Sequence, residues 1–440
     1  MQIIRNTITR CPTCAQEIEG QLILKDNKIY ITRNCPEHGP YEFKVSENGE
    51  WYADLDNFYV NVLKRGGVKG RITNSWIVTG QQCQMDCNYC SLDVNKPRFE
   101  KMTLEDFENT ISELKHSKLT LSGGEATMHP HIFDFFRIAY DKKVTTSLAT
   151  NGVKLADMEF CKNLVESKLM EVRLSIESFD REQTKKLNTD QFLDAKLQAL
   201  KNLEELGVVT IISPTIFRNI NEDQLAASIE FARIKSNIRE VSVNGFAWVG
   251  SGKKLYDTSF MIMPDEMMDI IHAKFFSEDR KNIYVFQKYM HLLMQLCNFR
   301  FCLHNQAMFF IKGKKRPVPI TEYLNMNRID KVLKTWDKHT GKSNFHQWLL
   351  FIKMSLFSMK FKALSLTFQL FSLFIANIFQ IKIHKYPSKI LPVLLNTNCG
   401  TLNADKTIED QCNSGCMVKV NGKLHQDIAT YILYPTSHRK

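Results

Sequence analysis

Three cysteines carry the clearest chemical signal in this 440-residue chain. Cys83, Cys87 and Cys90 follow one another at C-x3-C-x2-C spacing within one short stretch, TGQQCQMDCNYCSLD. Three thiolates on one loop can hold three irons of a 4Fe–4S cube, which leaves the fourth iron free to bind a small molecule. The ligands and surroundings of such a cluster set its reduction potential. The spacing therefore predicts an iron–sulfur cluster with an open coordination position.

A glycine-rich motif forms the second signal. Gly123, Gly124 and Glu125 follow the apolar run KLTL, which predicts that they stand at the C-terminal end of a strand. Ligands of α/β folds bind at that end of the strands. Because glycine has no Cβ, the backbone at such a motif can approach a ligand closely.

Together these two motifs resemble the radical S-adenosylmethionine (SAM) superfamily, over roughly residues 70 to 260. In that family a C-x3-C-x2-C loop follows the first strand of the barrel and Gly-Gly-Glu follows the second. The resemblance implies an enzyme that cleaves SAM reductively to a 5′-deoxyadenosyl radical, which abstracts hydrogen from a substrate. It also implies an electron donor such as flavodoxin or ferredoxin. The alternative is a structural zinc loop beside an ordinary glycine turn, which explains neither the distance between the motifs nor the aromatic Tyr89.

The resemblance further implies a set of residues that bind SAM, all at predicted strand ends: Gly123, Gly124, Glu125, Asn151, Ser175 and Glu177. For Asn151 the alternative is a turn-forming role before Gly152. For Ser175 and Glu177 it is hydrogen bonding at the end of a strand. No residue stands out as the catalytic acid or base.

The elements that must position these residues alternate between strand and helix after Arg71. Six apolar strand segments, each followed by a helical segment except the last, are NSWIVTG, KLTLSGGE, VTTSLATNG, EVRLSIES, VVTIISPTIF and REVSVNGFAWVG. This α/β pattern fits the partial (β/α)6 barrel of the radical SAM superfamily, whose site lies at the C-terminal strand ends. We therefore predict three domains: a metal module over 1–68, the radical SAM barrel over 69–262 and a mainly helical, cysteine-containing region over 263–440.

The N-terminal module contains a second candidate metal site. CPTC and CPEHG supply Cys11, Cys14, Cys35 and His38, a set suited to zinc or to a single rubredoxin-like iron. Such a metal can organise a unit that is too small to fold on its core alone. Between the two knuckles, QLILKD and KIYITRN alternate apolar and polar residues, which predicts a hairpin around Asp26 and Asn27.

Composition narrows the cellular setting. Twelve cysteines without an apolar leader in MQIIRNTITRCPTC favour metals and thiols in the cytoplasm over disulfides. A net charge of +11 favours an anionic partner: nucleic acid, a phosphorylated substrate or an acidic membrane surface. Nucleic acid is not expected, since no RNA-binding module is evident.

Beyond the predicted barrel lie five further cysteines, in CNFRFCLHN and NCGTLNADKTIEDQCNSGC: Cys297, Cys302, Cys399, Cys412 and Cys416. Their close spacing predicts an auxiliary iron–sulfur cluster, with independent buried thiols as the alternative.

The whole layout, with its CPxC and CPEHG opening, the barrel and the segment RPVPITEYLNMNRIDKVL, resembles the tetraether lipid synthase family and its bacterial relatives. That resemblance implies a lipid substrate and carbon–carbon coupling of alkyl chains. The alternatives are radical modification of a peptide or other substrate, with the auxiliary cluster involved, and a non-catalytic scaffold stapled by metals.

Residues 345–384 are unusually apolar, and 363–381 contain no charge, between flanking lysines. We expect helices that line a lipid pocket or lie on a membrane surface as a peripheral contact. A buried core helix and a membrane span are the alternatives.

Overall fold

The computed structural model describes residues 1–14, 16–63, 74–92, 94, 99–113, 118–297, 305–360 and 389–396. For 74, 113, 414–420 and 423–425 it describes the backbone alone. The predictions for residues 363–381 and for Cys302, Cys399 and Cys412 therefore lie outside the described residues.

The N-terminal module is a four-stranded antiparallel sheet followed by one helix. Its strands, in spatial order, are β1 (Gln2–Arg10), β2 (Glu17–Lys25), β3 (Lys28–Cys35) and β4 (Gly39–Ser46), and the helix is α1 (Gly49–Asn61). Asp26 and Asn27 join β2 to β3 with φ values of 51° and 56°. Two positive φ values in a two-residue loop match the right-handed twist of a hairpin, so the predicted hairpin is confirmed.

A parallel sheet forms the centre of the molecule. Its six principal strands are β5 (Asn74–Val78), β6 (Lys118–Ser122), β7 (Thr146–Thr150), β8 (Glu171–Leu174), β9 (Val209–Ile212) and, after the short β10 (Thr215–Ile216), β11 (Ile238–Gly245). Neighbours in this order are hydrogen-bonded, so the six predicted strands are confirmed as one parallel array. The connecting helices are α2 (Leu104–Glu113), α3 (Ile132–Asp141), α4 (Met158–Glu166), α5 (Arg181–Lys186), α6 (Leu193–Glu205) and α7 (Gln224–Ile234).

Local sequence explains where α2 begins. The hydroxyl of Thr103 accepts a hydrogen bond from the backbone N–H of Asp106 (3.1 Å), and the Asp106 carboxylate accepts one from the backbone N–H of Thr103 (2.9 Å). This reciprocal pair satisfies two N–H groups that would otherwise have no partner at the helix start.

The C-terminal region contains more strands than predicted. After the short helix α8 (Gly252–Leu255), which precedes this region, it has the helices α9 (Pro264–Phe275), α10 (Lys281–Leu296), α11 (Met326–Leu333) and α12 (Asn344–Ser358). It also has the strands β12 (Gln306–Lys312), β13 (Pro317–Pro319), β14 (Ile390–Asn396), β15 (Ser414–Val420) and β16 (Lys423–His425).

Four of these strands, β12 to β15, extend the central sheet, and β16 pairs with β15. β14 is parallel to β11, β12 and then β13 follow antiparallel, and β15 pairs with β5 at the other edge. Leu391, Val393 and Leu395 of β14 are fully buried, so this strand supplies apolar cover for the open edge of β11. A mainly helical description of this region is therefore incomplete, because pairing at a sheet edge depends on partners far away in sequence.

The N-terminal module packs on the first helices of the C-terminal region. The buried carboxylate of Asp265, in α9, accepts hydrogen bonds from the Ser46 hydroxyl (2.8 Å) and from the backbone N–H groups of Glu47 (2.7 Å) and Asn48 (3.1 Å). Burial raises the pKa of this carboxyl to about 6. Trp51 of α1 stacks on Tyr284 of α10 with ring centroids 5.1 Å apart.

Within the described residues, no helix is both long and apolar enough to cross a membrane.

Candidate active site and metal centre

Two loops meet at the C-terminal edge of the parallel sheet: the cysteine-bearing loop after β5 and the glycine loop after β6. Backbone hydrogen bonds link them, from Thr79 N to Ser122 O (2.8 Å), Gly124 N to Gly80 O (2.9 Å) and Glu125 N to Gln82 O (2.7 Å). The strand ladder thus continues into the loops, so the position of the cysteine-bearing loop depends on that of the glycine loop.

The two glycines are required for this contact. A Cβ on Gly123 would lie 2.3 Å from the Gly80 carbonyl oxygen, and one on Gly124 would lie 2.2 Å from the Gln81 carbonyl oxygen. Gly123 also has φ +154°, a conformation that other residues rarely adopt. The sequence suggested that these glycines make room for SAM, and the structure adds that they let two backbones touch.

Glu125 is a buried connector between the loops after β6 and β7. One carboxylate oxygen accepts from the Thr127 N–H (3.0 Å), the Thr127 hydroxyl (2.6 Å) and the Thr150 hydroxyl (2.7 Å). The other oxygen accepts from the backbone N–H of Asn151 (2.7 Å). Both oxygens are therefore occupied within the protein. Its predicted contact with SAM stays a prediction, and positioning is the role that the geometry shows.

Asn151 connects that network to the cysteine-bearing loop. Its side-chain N–H points at Cys83 Sγ (3.6 Å), and its side-chain oxygen accepts from Gln84 Nε2 (3.2 Å) and from the backbone N–H of Val153 (3.0 Å). The hydrogen bond with Val153 is typical of a turn-forming Asn, which was the alternative role that the sequence allowed for Asn151. The contact with Cys83 is additional, and it places an amide donor against a thiol predicted to hold iron.

The three cysteines of the loop are all partly buried. Burial, as the main cause, raises the pKa of the Cys83 thiol, and it raises that of Cys87 to about 12. These thiols would stay protonated at neutral pH on their own, so iron must displace their protons when it binds.

The distances between the three thiols indicate what kind of metal group they could hold. Among the described residues, the one group of three or more His, Cys, Asp or Glu residues with ligand atoms within 4.8 Å of one another lies elsewhere, in the N-terminal module. The three thiols on the loop after β5 therefore do not converge on a single ion. Three spaced soft ligands beside a cradle without Cβ atoms fit a larger iron–sulfur cluster instead.

A buried ion pair lies next to Cys87. The Glu177 carboxylate, just after β8, accepts from Lys196 Nζ of α6 at 2.8 Å, and both side chains are about 3% exposed. The charges of Glu177 and Lys196 act on Cys87 in opposite directions, the first raising and the second lowering its pKa. Burial is the main cause of the raised pKa of Tyr89, and Glu177 and Cys87 act in the same direction. Sequence reasoning missed Lys196, because a lysine on an amphipathic helix usually faces solvent.

Ser175 follows β8 directly and is partly buried, and its backbone N–H donates to the Thr150 carbonyl oxygen (3.0 Å). The structure thus supports strand-end hydrogen bonding by its backbone.

The N-terminal metal site converges as predicted. Ligand atoms of Cys11, Cys14, Cys35 and His38 all lie within 4.8 Å of one another. His38 Nδ1 is 3.5 Å from Cys35 Sγ and 3.8 Å from Cys11 Sγ, and Cys14 Sγ is 3.9 Å from Cys35 Sγ. The hydrogen bond from His38 lowers the pKa of the Cys35 thiol. Three sulfurs and one nitrogen at these separations suit one tetrahedral ion.

The C-terminal cysteines are not brought together by what the structure describes. Cys297 ends α10 and is partly buried, with a pKa that burial raises to about 11. Cys416 lies in β15, in register with Trp76 of β5, the strand that leads into the cysteine-bearing loop. The auxiliary cluster stays a prediction.

Two family models match the two segments that contain the candidate metal ligands. Residues 77–232 match the family model of the radical SAM superfamily, and residues 3–47 match the HMPTM N-terminal zinc ribbon domain. The chain is 21% identical to a 7,8-dihydro-6-hydroxymethylpterin dimethyltransferase of Methanocaldococcus jannaschii over 78% of this chain and 75% of that protein.

Two further matches are narrower. A probable GTP 3′,8-cyclase of Pyrococcus abyssi is 27% identical over 37% of this chain and 53% of that protein, so the chain spans about half the length of that relative. The solved structure of Streptococcus suis SuiB bound to the precursor peptide SuiA has a TM-score of 0.40 at 14% identity, over 60% of this chain and 69% of that one.

The loop cysteines, the glycine cradle and the family match together define the class of protein. Residues 77–232 are a radical SAM domain by this match, and the protein is an enzyme. It carries an N-terminal zinc ribbon domain with a metal-binding set of side chains.

Proposed function

We propose that this enzyme methylates a small, flat, nitrogen-containing ring of the reduced pterin type. The observation that carries the proposal is the extent of the match to the pterin dimethyltransferase. It covers more than three quarters of this chain, whereas the match to the cyclase covers little more than a third. The same chain joins a zinc ribbon named for HMPTM to a radical SAM domain. We therefore base the proposed activity on a relative that matches this chain over most of its length and not only in the motifs.

Cys83, Cys87 and Cys90 would hold a 4Fe–4S cluster, and the Gly123–Gly124 cradle would receive the methionine part of SAM. When bound, the reduced cluster and SAM supply a carbon-centred radical able to take hydrogen from an unreactive C–H bond. A flavodoxin or ferredoxin would deliver the electron. The partial (β/α)6 barrel of the superfamily would enclose this site at the C-terminal strand ends.

The chain's own residues then do three things. Glu125 keeps the loops after β6 and β7 in register, through four accepted hydrogen bonds. The side-chain N–H of Asn151 donates to Cys83 Sγ and so helps to position that thiol. Lys196 balances the charge of Glu177 beside Cys87, so a buried carboxylate does not stand uncompensated next to the cluster.

For the N-terminal module we propose zinc as the bound metal, with a single iron as the alternative. A closed set of four ligands, three sulfurs and one nitrogen, is typical of structural zinc. No position for a substrate would remain at such an ion. The module's role is therefore to build the surface formed by β4 and α1.

The test is anaerobic incubation of the reconstituted full-length protein with dithionite, SAM and reduced hydroxymethylpterin. We expect 5′-deoxyadenosine together with pterin products that carry one or two added methyl groups, detected by liquid chromatography and mass spectrometry. Each methyl group would come from a further SAM molecule, which leaves as S-adenosylhomocysteine, and dithionite would supply the electrons. The triple variant Cys83→Ala, Cys87→Ala, Cys90→Ala is the control and should give neither. Formation of 5′-deoxyadenosine in the wild type with an unchanged pterin would refute the proposed substrate while leaving the enzyme class intact.

A lipid substrate, with coupling of alkyl chains, is the second candidate. One observation favours it: α12 exposes a row of large apolar side chains, among them Phe345 and Leu356 at 72% and 55% exposure. Lipid extracts from cells with and without the gene would distinguish the two candidates. A changed set of alkyl chains favours the lipid, and an unchanged set with altered pterins favours the ring substrate.

A further inference from the structure

Helix α12 has two apolar faces. Phe351 and Met354 lie on the face that is buried against the protein, where Phe351 stacks on Tyr289 of α10 at 4.8 Å. The opposite face carries Phe345, Leu349, Ile352 and Leu356, which are 72%, 51%, 42% and 55% exposed. We call these four residues the outer stripe. Their spacing of four, three and four residues places them in one row along a helix.

The outer stripe is a concentration of apolar surface, not a scatter of single residues. Thirteen large hydrophobic side chains are exposed among the described residues, and five of them lie on the fifteen residues of α12. Isolated exposed apolar residues are normal, whereas a contiguous patch marks a surface that binds something.

Charge identifies the kind of surface that would cover this patch. Residues 338–404 contain eight lysines and no Asp or Glu, so they hold eight of the chain's net eleven positive charges. Lys342 and Lys353 are exposed beside the outer stripe, and Lys360, just past α12, pairs with Glu278 at 3.6 Å. An apolar row bordered by lysines is the pattern of a helix that lies on an anionic membrane.

A second copy of the chain fits this surface poorly. In a symmetric dimer the same patch is used by both partners, so the lysines of one copy would face those of the other, and repulsion between like charges opposes that contact. A lipid bilayer with anionic headgroups instead offers an apolar layer and negative charge together. In the sequence, the uncharged apolar run 363–381 follows, with lysines on either side of it.

We propose that α12 docks this enzyme on an anionic membrane surface through its outer stripe. The stripe enters the boundary between headgroups and acyl chains, and the neighbouring lysines contact the headgroups. The proposal does not depend on the substrate, because attachment to a membrane brings the enzyme to a surface whether the substrate is a ring or a lipid.

The experiment is co-sedimentation of the full-length protein with vesicles of phosphatidylcholine alone or mixed with phosphatidylglycerol, at low and high salt. We expect binding to the mixed vesicles that falls with salt. The variant Leu349→Gln, Ile352→Gln, Leu356→Gln should bind at least about tenfold more weakly than the wild type, because its apolar area is lost. The matched control, Ile234→Gln with Leu255→Gln, changes two side chains that are 62% and 61% exposed on other helices and should bind like the wild type.

Three outcomes would overturn the proposal. The first is equal binding of the stripe variant and the wild type. The second is no binding of the wild type to mixed vesicles, together with a lower thermal unfolding temperature of the stripe variant, which would show that the stripe is covered by the chain itself. The third is a wild-type dimer in sedimentation velocity that the stripe variant loses, without vesicle binding, which would show that a second copy covers it.

Discussion

Two cysteine sets among the described residues, one in the N-terminal module and one on the loop after β5, differ in how closely their ligand atoms converge. In the N-terminal module, four ligand atoms converge within 4.8 Å, and the thiol pKa is lowered at Cys11 and Cys35 and raised at Cys14. On the loop after β5, three partly buried thiols stay apart, and those of Cys83 and Cys87 have raised pKa values.

This difference is the one expected between a structural metal site and a catalytic cluster. A closed tetrahedral set uses every position of its metal, so it can stabilise a fold but cannot bind a substrate. Three thiols beside a glycine cradle leave a position open and need neighbouring loops to keep them in place. The cluster loop accordingly depends on Glu125 and Asn151, whereas His38 and the three cysteines need only their own turns.

The largest effect should come from the cluster cysteines. Replacing Cys83, Cys87 and Cys90 with Ala should abolish both the iron–sulfur absorbance and the formation of 5′-deoxyadenosine, because no other described thiols are arranged to replace them. Metal analysis should still find one ion in the N-terminal module. Cys161→Ala, at a buried thiol in α4, serves as the control and should retain activity.

Loss of the N-terminal metal should have the next largest effect. Cys35→Ser should release an ion whose binding contributes about 10 kcal/mol in comparable small modules, and limited proteolysis should then cut within 1–63. The iron–sulfur absorbance should persist. Equal protease resistance of the variant and the wild type would contradict a structural role for the ion.

The buried pair beside Cys87 tests how the cluster loop is supported. Lys196→Met leaves the Glu177 carboxylate buried without its partner, so we expect the free energy of unfolding to fall by about 3–5 kcal/mol. It should also make the cluster harder to reduce, because a positive charge near it is lost. The double variant with Glu177→Gln should recover most of both effects, as measured by urea unfolding and by redox titration followed by electron paramagnetic resonance. Failure of the double variant to recover either quantity would refute the coupling.

The contact between the N-terminal module and α9 should respond to pH. The pKa of Asp265 is raised from 3.8 to about 6, so the native state binds more protons than the unfolded state between these values. Stability from this group is therefore complete below about pH 4 and is lost as the pH rises through 6, a change of about 3 kcal/mol over the whole window. Urea unfolding from pH 5 to 7.5 should show this decline in the wild type and a smaller one in Asp265→Asn.

The smallest effect concerns Glu125. In Glu125→Gln, the new amide N–H₂ would face the backbone N–H of Asn151, so one accepted hydrogen bond is lost, at a cost of about 1–3 kcal/mol. We expect weaker SAM binding and slower formation of 5′-deoxyadenosine, with the cluster retained. Glu159→Gln, on the exposed side of α4, is the control. Wild-type SAM affinity in Glu125→Gln would show that this carboxylate does not position the site.

The sequence alone determined the features that depend on neighbouring residues. The C-x3-C-x2-C loop, the glycine motif, the hairpin at Asp26–Asn27 and the six strands follow from spacing and periodicity within short segments. The convergence of Cys11, Cys14, Cys35 and His38 was also predictable, because two knuckles on adjacent strands of a hairpin sheet must lie side by side.

Tertiary structure decided the features that join distant segments. Lys196 lies 19 residues from Glu177, and only the packing of α6 on the sheet brings its ammonium group into the interior. Asp265 meets Ser46 from 219 residues away. The cover of β11 by β14 likewise depends on a chain return that local periodicity does not encode. Burial is a property of the whole packed molecule, so the pKa values, the ion pair at Cys87 and the exposed face of α12 could not be predicted from sequence alone.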